Sequence, residues 1–237
     1  SKKCFPTIVG LGAFSSAKDV SESMACIHAA RRHCGVDAAA EGVLCLCIGD
    51  GCTPRTALLA CFLTKWRCVS IDPALNHASW IGKHRTVERL VGFGGTLDEF
   101  MQQPACKESW GAAAPREDGL PSVSQLVLLC VHSHARFIGP SALPSLLARF
   151  GHPNPRACVV TMPCCSGFRP ERDLGRPADV RFDDECVFSD KRAIEIWKFE
   201  LGATGVVAAA PGVDDDVAAC VGCEAEGSAA SERRSVK

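Results

Sequence analysis

The sequence has no dominant charge, no long apolar run and no internal repeat. Its 26 basic and 27 acidic side chains leave a formal net charge of −1 over 237 residues. That balance provides no field for gripping nucleic acid or an anionic membrane, although Arg169, Arg172 and Arg176 form a local basic group. RNA as a partner therefore has no support from charge. No apolar stretch reaches the roughly 18 residues expected of a membrane span. A secretory signal is also missing, and Ser1 is compatible with removal of an initiator Met or of a longer targeting segment.

What the chain has in quantity is cysteine, 16 residues in all. Such a number marks a disulfide framework in a small secreted protein, but this chain is neither small nor dominated by loops. Cys45, Cys47, Cys61, Cys68, Cys130 and Cys158 lie inside apolar patterns, where cysteine acts as a small buried hydrophobe. The expectation is reduced core thiols in a reducing intracellular compartment, with cytoplasm, mitochondrion and plastid all open.

The most informative stretch is 43–73. Residues 43–48 are continuously apolar, too short for a helix and suited to a strand buried on both faces. Gly49 and Gly51 permit positive φ and close approach of a ligand to the backbone. Thr53 is placed to cap a helix over 54–63, with Pro54 in its first turn. A second strand over 68–71 ends on Asp72. In an open parallel sheet, nucleotide-like ligands bind beyond the carboxyl ends of the strands, where a helix N-terminus supplies N–H donors and an acid accepts from ribose hydroxyls. The stretch reads as half of a nucleoside-cofactor domain.

Around it, residues 17–34 read as a helix starting near Ser16 or Asp19 and stopping before Gly35, with Arg31, Arg32 and His33 in its last turn. A helix begins at 74–80, a short strand covers 89–93 and a helix 97–103. Residues 104–121 lack periodicity and read as a surface insertion. Strands follow at 124–131 and 157–162, with a helix over 142–150 between them. An Arg/Pro/Gly-rich loop leads to two strands, 186–188 and 193–199, joined by Ser189–Asp190–Lys191. The organisation is an N-terminal segment and helix packing on the core (1–42), an α/β domain (43–206) and an irregular tail (207–237).

The order of elements resembles the class I S-adenosylmethionine-dependent methyltransferases over roughly residues 43–201. That resemblance implies a three-layer Rossmann-like α/β sheet of about seven strands, mostly parallel, with an antiparallel last strand. It implies S-adenosylmethionine as cofactor, held by Gly49, Asp50, Gly51 and Thr53 in the first motif and by Asp72, with Asp98 near the adenine. Val131–His132–Ser133–His134–Ala135 and Met162–Pro163–Cys164–Cys165 look like a subset of RNA-methyltransferase-like proteins, in which strand four ends in Leu-His-Ala-Cys-like turns and strand five in Cys-Cys. The string Gly-Asp-Gly-Cys-Thr-Pro-Arg-Thr also looks like a subgroup of uncharacterised Rossmann-like proteins of protists. The chain departs from the class in two motifs. Cys47 stands where an acid usually precedes the first glycine, and Thr53 replaces a third glycine. No Asn/Asp-Pro-Pro-Tyr motif follows strand four.

His132, Cys164 and Cys165 are the candidate catalytic residues. Strand alternation places His132 and His134 on one side, where they can serve as general base or metal ligands. Cys164 and Cys165 can act as a nucleophile or as a wall of the acceptor pocket. Their adjacency lacks the usual Cys-x2–4-Cys spacing of zinc sites, and the Cys220/Cys223 pair lacks companion ligands, so no metal is expected. Arg55 pairs with Asp50 or Asp72 or awaits an anion. The leading reading is a methyltransferase of unknown acceptor, RNA or protein. The alternative is an inactive methyltransferase-fold scaffold subunit of a larger, organellar complex, which the lost acid at Cys47 favours. A nicotinamide-dinucleotide enzyme ranks last, because its third glycine would fall at Pro54.

Overall fold

The computed structural model describes residues 5–75, 87, 89–103, 122–150, 156–165 and 168–200. Five strands run parallel: β1 (Val43–Ile48), β2 (Arg67–Ile71), β3 (Leu90–Phe93), β4 (Gln125–Val131) and β5 (Arg156–Met162). A hairpin of β6 (Val180–Asp183) and β7 (Ala193–Glu200) completes the sheet, whose order is β3-β2-β1-β4-β5-β7-β6. Strand β7 lies antiparallel to β5. The reversal of order beside β1 and β4 opens a crevice at their carboxyl ends, where the site lies.

Both faces of the sheet are covered, which is why β1 is buried from end to end. Leu44, Leu46 and Ile48 point to the face occupied by α4 (Leu97–Gln102) and α5 (Leu143–Phe150). Val43, Cys45 and Cys47 point to the other, beneath α2 (Ala17–His33) and α3 (Arg55–Leu63). Cys26, Cys61, Cys68 and Cys158 share that second face. A layer of thiols there lets the helices seat closely, since each side chain is small and apolar. All the described cysteines are free. Helix α2 is capped by the Ser16 hydroxyl, which accepts from the Asp19 N–H, and it stops at Cys34 before Gly35 turns at φ 63°. A short α1 (Phe5–Leu11) precedes it.

The closing hairpin is displaced from its expected place. Residues 186–188 form no strand; β6 lies earlier, and residues 184–192 make the connection. The Asp184 carboxylate accepts from the Cys186 N–H and folds that segment into a turn, leaving Phe188 71% exposed. Within β6 only Val180 and Phe182 are half-buried, so its apolar signal is two residues long. The preceding loop also holds a one-turn helix, α6 (Pro170–Asp173). The helix expected at 74–80 beyond its first residues, the insertion at 104–121 and the tail from 207 fall outside the described residues. Among the described residues no helix is long and apolar enough to cross a membrane.

Candidate cofactor site

The turn after β1 is built around Asp50. Gly49 and Gly51 adopt φ values of 73° and 86°, a region that favours glycine. They send the intervening Asp50 side chain inward, where it is only 4% exposed. Its carboxylate accepts from the Thr56 N–H at 2.7 Å, the Ala57 N–H at 3.2 Å and the Ser70 hydroxyl at 2.9 Å. Burial pushes the Asp50 carboxyl above its ordinary value, against the pull of these donors. Asp50 therefore does the capping expected of Thr53, and it uses up two of the donors expected to face a ligand. The Thr53 hydroxyl donates instead to the Ala13 carbonyl at 2.7 Å, tying the turn to the segment before α2.

Asp72 sits as expected at the end of β2. One carboxylate oxygen accepts from the Gly51 N–H at 2.8 Å and the other from the Ala74 N–H at 2.7 Å. It thus fixes the glycine turn while remaining at the crevice edge, half-buried. Asp98 is drawn elsewhere. Its carboxylate accepts a short hydrogen bond from Ser141, in the connection between β4 and α5, so it braces that loop. Arg55 pairs with neither Asp50 nor Asp72 through its carboxylate. Its guanidinium meets Asp19 of α2 at 3.0 Å, and its Nε donates to the Asp50 carbonyl at 3.3 Å.

Strand β4 ends against the same turn. A Cβ on Gly49 would lie 2.7–2.9 Å from Oγ, Cβ and Cα of Ser133, so β4 approaches β1 closer than any side chain allows. His132 turns the chain there at φ 55°, alone among the described non-glycine residues in having a positive φ. The turn parts the two histidines that alternation had placed together. The His132 imidazole faces α2, with Nε2 2.9 Å from the Glu22 carboxylate. The approach is off the hydrogen-bonding direction, and Glu22 Oε1 and both His132 nitrogens lack a hydrogen-bond partner although buried. With Asp19, Arg55 and Gly49 these groups line a cavity of about 10 Å³, space for one water.

His134 points the other way, to the end of β5. Its Nε2 lies 2.7 Å from Cys164 Sγ and 3.6 Å from Cys165 Sγ. The catalytic trio read from the sequence is thus divided: Cys164 and Cys165 meet His134, while His132 belongs with Glu22. Glu22 was not singled out from the sequence at all. The available signal was an acid within the buried stripe of α2, beside Ser23, Cys26 and Ile27.

The strand order, with antiparallel β7 between β5 and β6, is the class I methyltransferase-like arrangement that the resemblance implied. No family model and no curated protein matches the chain. Among solved structures it is similar to the Burkholderia thailandensis 1,6-didemethyltoxoflavin N1-methyltransferase with bound 1,6-didemethyltoxoflavin and S-adenosylhomocysteine. There the identity is 13% and the TM-score 0.36, over 75% of this chain and 60% of that one. It is also similar to an S-adenosylmethionine-dependent methyltransferase from Aquifex aeolicus, at 12% and 0.34, over 51% and 57% of the two chains. A variant of a 16S rRNA adenine methyltransferase from Catenulisporales acidiphilia gives 12% and 0.40, over 65% and 83%.

Proposed function

We propose that the chain is an S-adenosylmethionine-dependent methyltransferase. The observation that carries the reading is the glycine turn, fixed to Asp72 at the carboxyl edge of a sheet of order β3-β2-β1-β4-β5-β7-β6. Asp72 would accept from the ribose hydroxyls, and the Gly49–Gly51 backbone would lie against the amino-acid portion. Glu22 takes over in space the part of the acid missing at Cys47. It reaches the turn from α2, where its buried carboxylate would meet the cofactor's ammonium. The orphaned atoms of Glu22 and His132 fit such a ligand, which would supply the hydrogen bonds they lack. When bound, the sulfonium supplies an electrophilic methyl carbon. The chain's own contribution is to hold cofactor and acceptor in line, since alignment removes much of a transfer barrier. Acceptor would enter beyond β4 and β5, where His134, Cys164 and Cys165 lie.

Calorimetric titration with S-adenosylmethionine and S-adenosylhomocysteine tests this. Micromolar binding is expected, weakened at least tenfold in Asp72→Asn and in Glu22→Gln, with circular dichroism confirming that both variants fold. Absence of binding to folded wild-type chain would end the enzyme reading and leave the fold as a scaffold, to be pursued through complex partners.

A further inference from the structure

We propose that His134, Cys164 and Cys165 form an open zinc site at the carboxyl ends of β4 and β5. The nitrogen and the two sulfurs all lie within 4.8 Å of one another. They follow the ends of two parallel neighbouring strands that pair through Val131 and Met162, so the segments carrying them leave the sheet side by side. The donation of the His132 N–H to the Met162 carbonyl at 2.9 Å continues the pairing one step beyond.

Adjacent cysteines are an unusual zinc pair because successive side chains of a strand point to opposite faces. Here the alternation is broken. Strand β5 ends at Met162, and Cys164 and Cys165 lie in a bend, which lets both sulfurs reach the same imidazole. Ring position is set from a third side, with His134 lying over Phe168 at a centroid separation of 6.2 Å.

One nitrogen–sulfur distance already matches tetrahedral zinc, and the other requires only a small rotation. Bonds of about 2.0–2.1 Å to nitrogen and 2.3 Å to sulfur place a nitrogen and a sulfur about 3.6 Å apart. Cys165 stands 3.6 Å from His134 Nε2. Cys164, at 2.7 Å, has to back away by roughly 0.9 Å to that same tetrahedral spacing, within the reach of one χ1 adjustment of a half-buried thiol. Two thiolates and an imidazole form a soft donor set that selects zinc over magnesium, calcium or manganese. Three protein ligands leave the fourth position open, the arrangement of sites that bind water or a substrate donor atom rather than only stabilise a fold. Binding converts both thiols to thiolates and releases their two protons to solvent, so affinity rises with pH. The site requires no bound cofactor and stands independently of the methyl-transfer reading.

The test uses the full chain, reduced, titrated with zinc and separately with cobalt(II). One tightly held zinc per chain is expected, with two protons released, measured by atomic emission and a pH indicator. Cobalt should give the intense visible bands of a tetrahedral centre, with a sulfur-to-metal charge-transfer band. That band should lose about half its intensity per bound cobalt in Cys164→Ser and in Cys165→Ser. Zinc affinity should fall at least 100-fold in both variants and in His134→Gln. His134 is exposed, so this last variant keeps the test alive should a cysteine variant fail to fold. Cys186→Ser should bind as wild type does. Absence of stoichiometric zinc in wild-type chain would overturn the proposal. So would binding unaffected by all three ligand variants, or binding lost instead in a Cys220→Ser, Cys223→Ser double variant.

Discussion

A methyl group on Gly49 has nowhere to go. It would fall within 2.9 Å of the Ser133 main chain, and φ of 73° adds strain that alanine does not relieve. Gly49→Ala is therefore expected to destabilise the chain by about 1–3 kcal/mol, read as a lower midpoint in urea. Asp19 carries a pH signature. Burial pushes its carboxyl up, but the hydroxyls of Ser15 and Ser16 and the Arg55 guanidinium outweigh that and hold it below its ordinary value. A depressed acid contributes stability above the unfolded value of about 3.9 and loses it as pH falls through the lower folded one. Asp19→Asn should thus lower the denaturation midpoint at pH 6, with a smaller deficit at pH 3. An equal deficit at both values would mean that charge has no part in it. At this scale the sequence was legible where one residue type has one use: two glycines for two positive φ angles, an acid at a strand end. Asp50 and Glu22 were not, because whether an acid faces ligand or helix depends on which way the turn throws its side chain.

Elements were legible in proportion to the length of their apolar pattern. Strands β1, β4 and β5 and helix α2 fall within one residue of expectation, since each presents six or more residues of consistent burial or period. Strand β6 is the counterexample: four residues at a sheet edge, two of them exposed, carry too little signal to outweigh the apolar Val187–Phe188 nearby. The ends of helices are set by partners far away in sequence. Arg89 donates to the carbonyls of Cys61, Thr64 and Trp66, closing the C-terminus of α3 from the turn just before β3. Helix α4, by contrast, carries its own signal. Thr96 and Glu99 form a reciprocal capping box, a spacing readable directly from the residues.

Across the whole molecule, the thiol layer between sheet and helices distinguishes this core. Burial pushes the Cys47 and Cys130 thiols up to about 12, and that of Cys45 well above its ordinary value. Thiols held so far from ionisation, and out of contact with solvent, are poor nucleophiles. In native chain, Ellman's reagent followed by peptide mapping should modify the exposed Cys52 and Cys186 and leave Cys26, Cys45, Cys47, Cys61, Cys68, Cys130 and Cys158 intact until urea unfolds the protein. Rapid native labelling of Cys45 or Cys47 would mean that the α2–α3 face opens. Apolar patterning had already placed all of these but Cys26 in the core, because a cysteine inside a buried strand or helix has few alternatives.

Helix α2 packs on β4, β5, β7 and α3, yet it ends at residue 33 and β7 begins at residue 193. On a ribosome adding about 5–20 residues per second, the helix emerges on the order of ten seconds before its last partner strand exists. Until that interval ends, Glu22 and the thiol-facing stripe of the nascent chain have no complete sheet to cover. The Glu22 end of the crevice is thus the earliest part of the site to be synthesised and among the last to be assembled. An incomplete chain released before β7 would display that stripe to chaperones or to other chains.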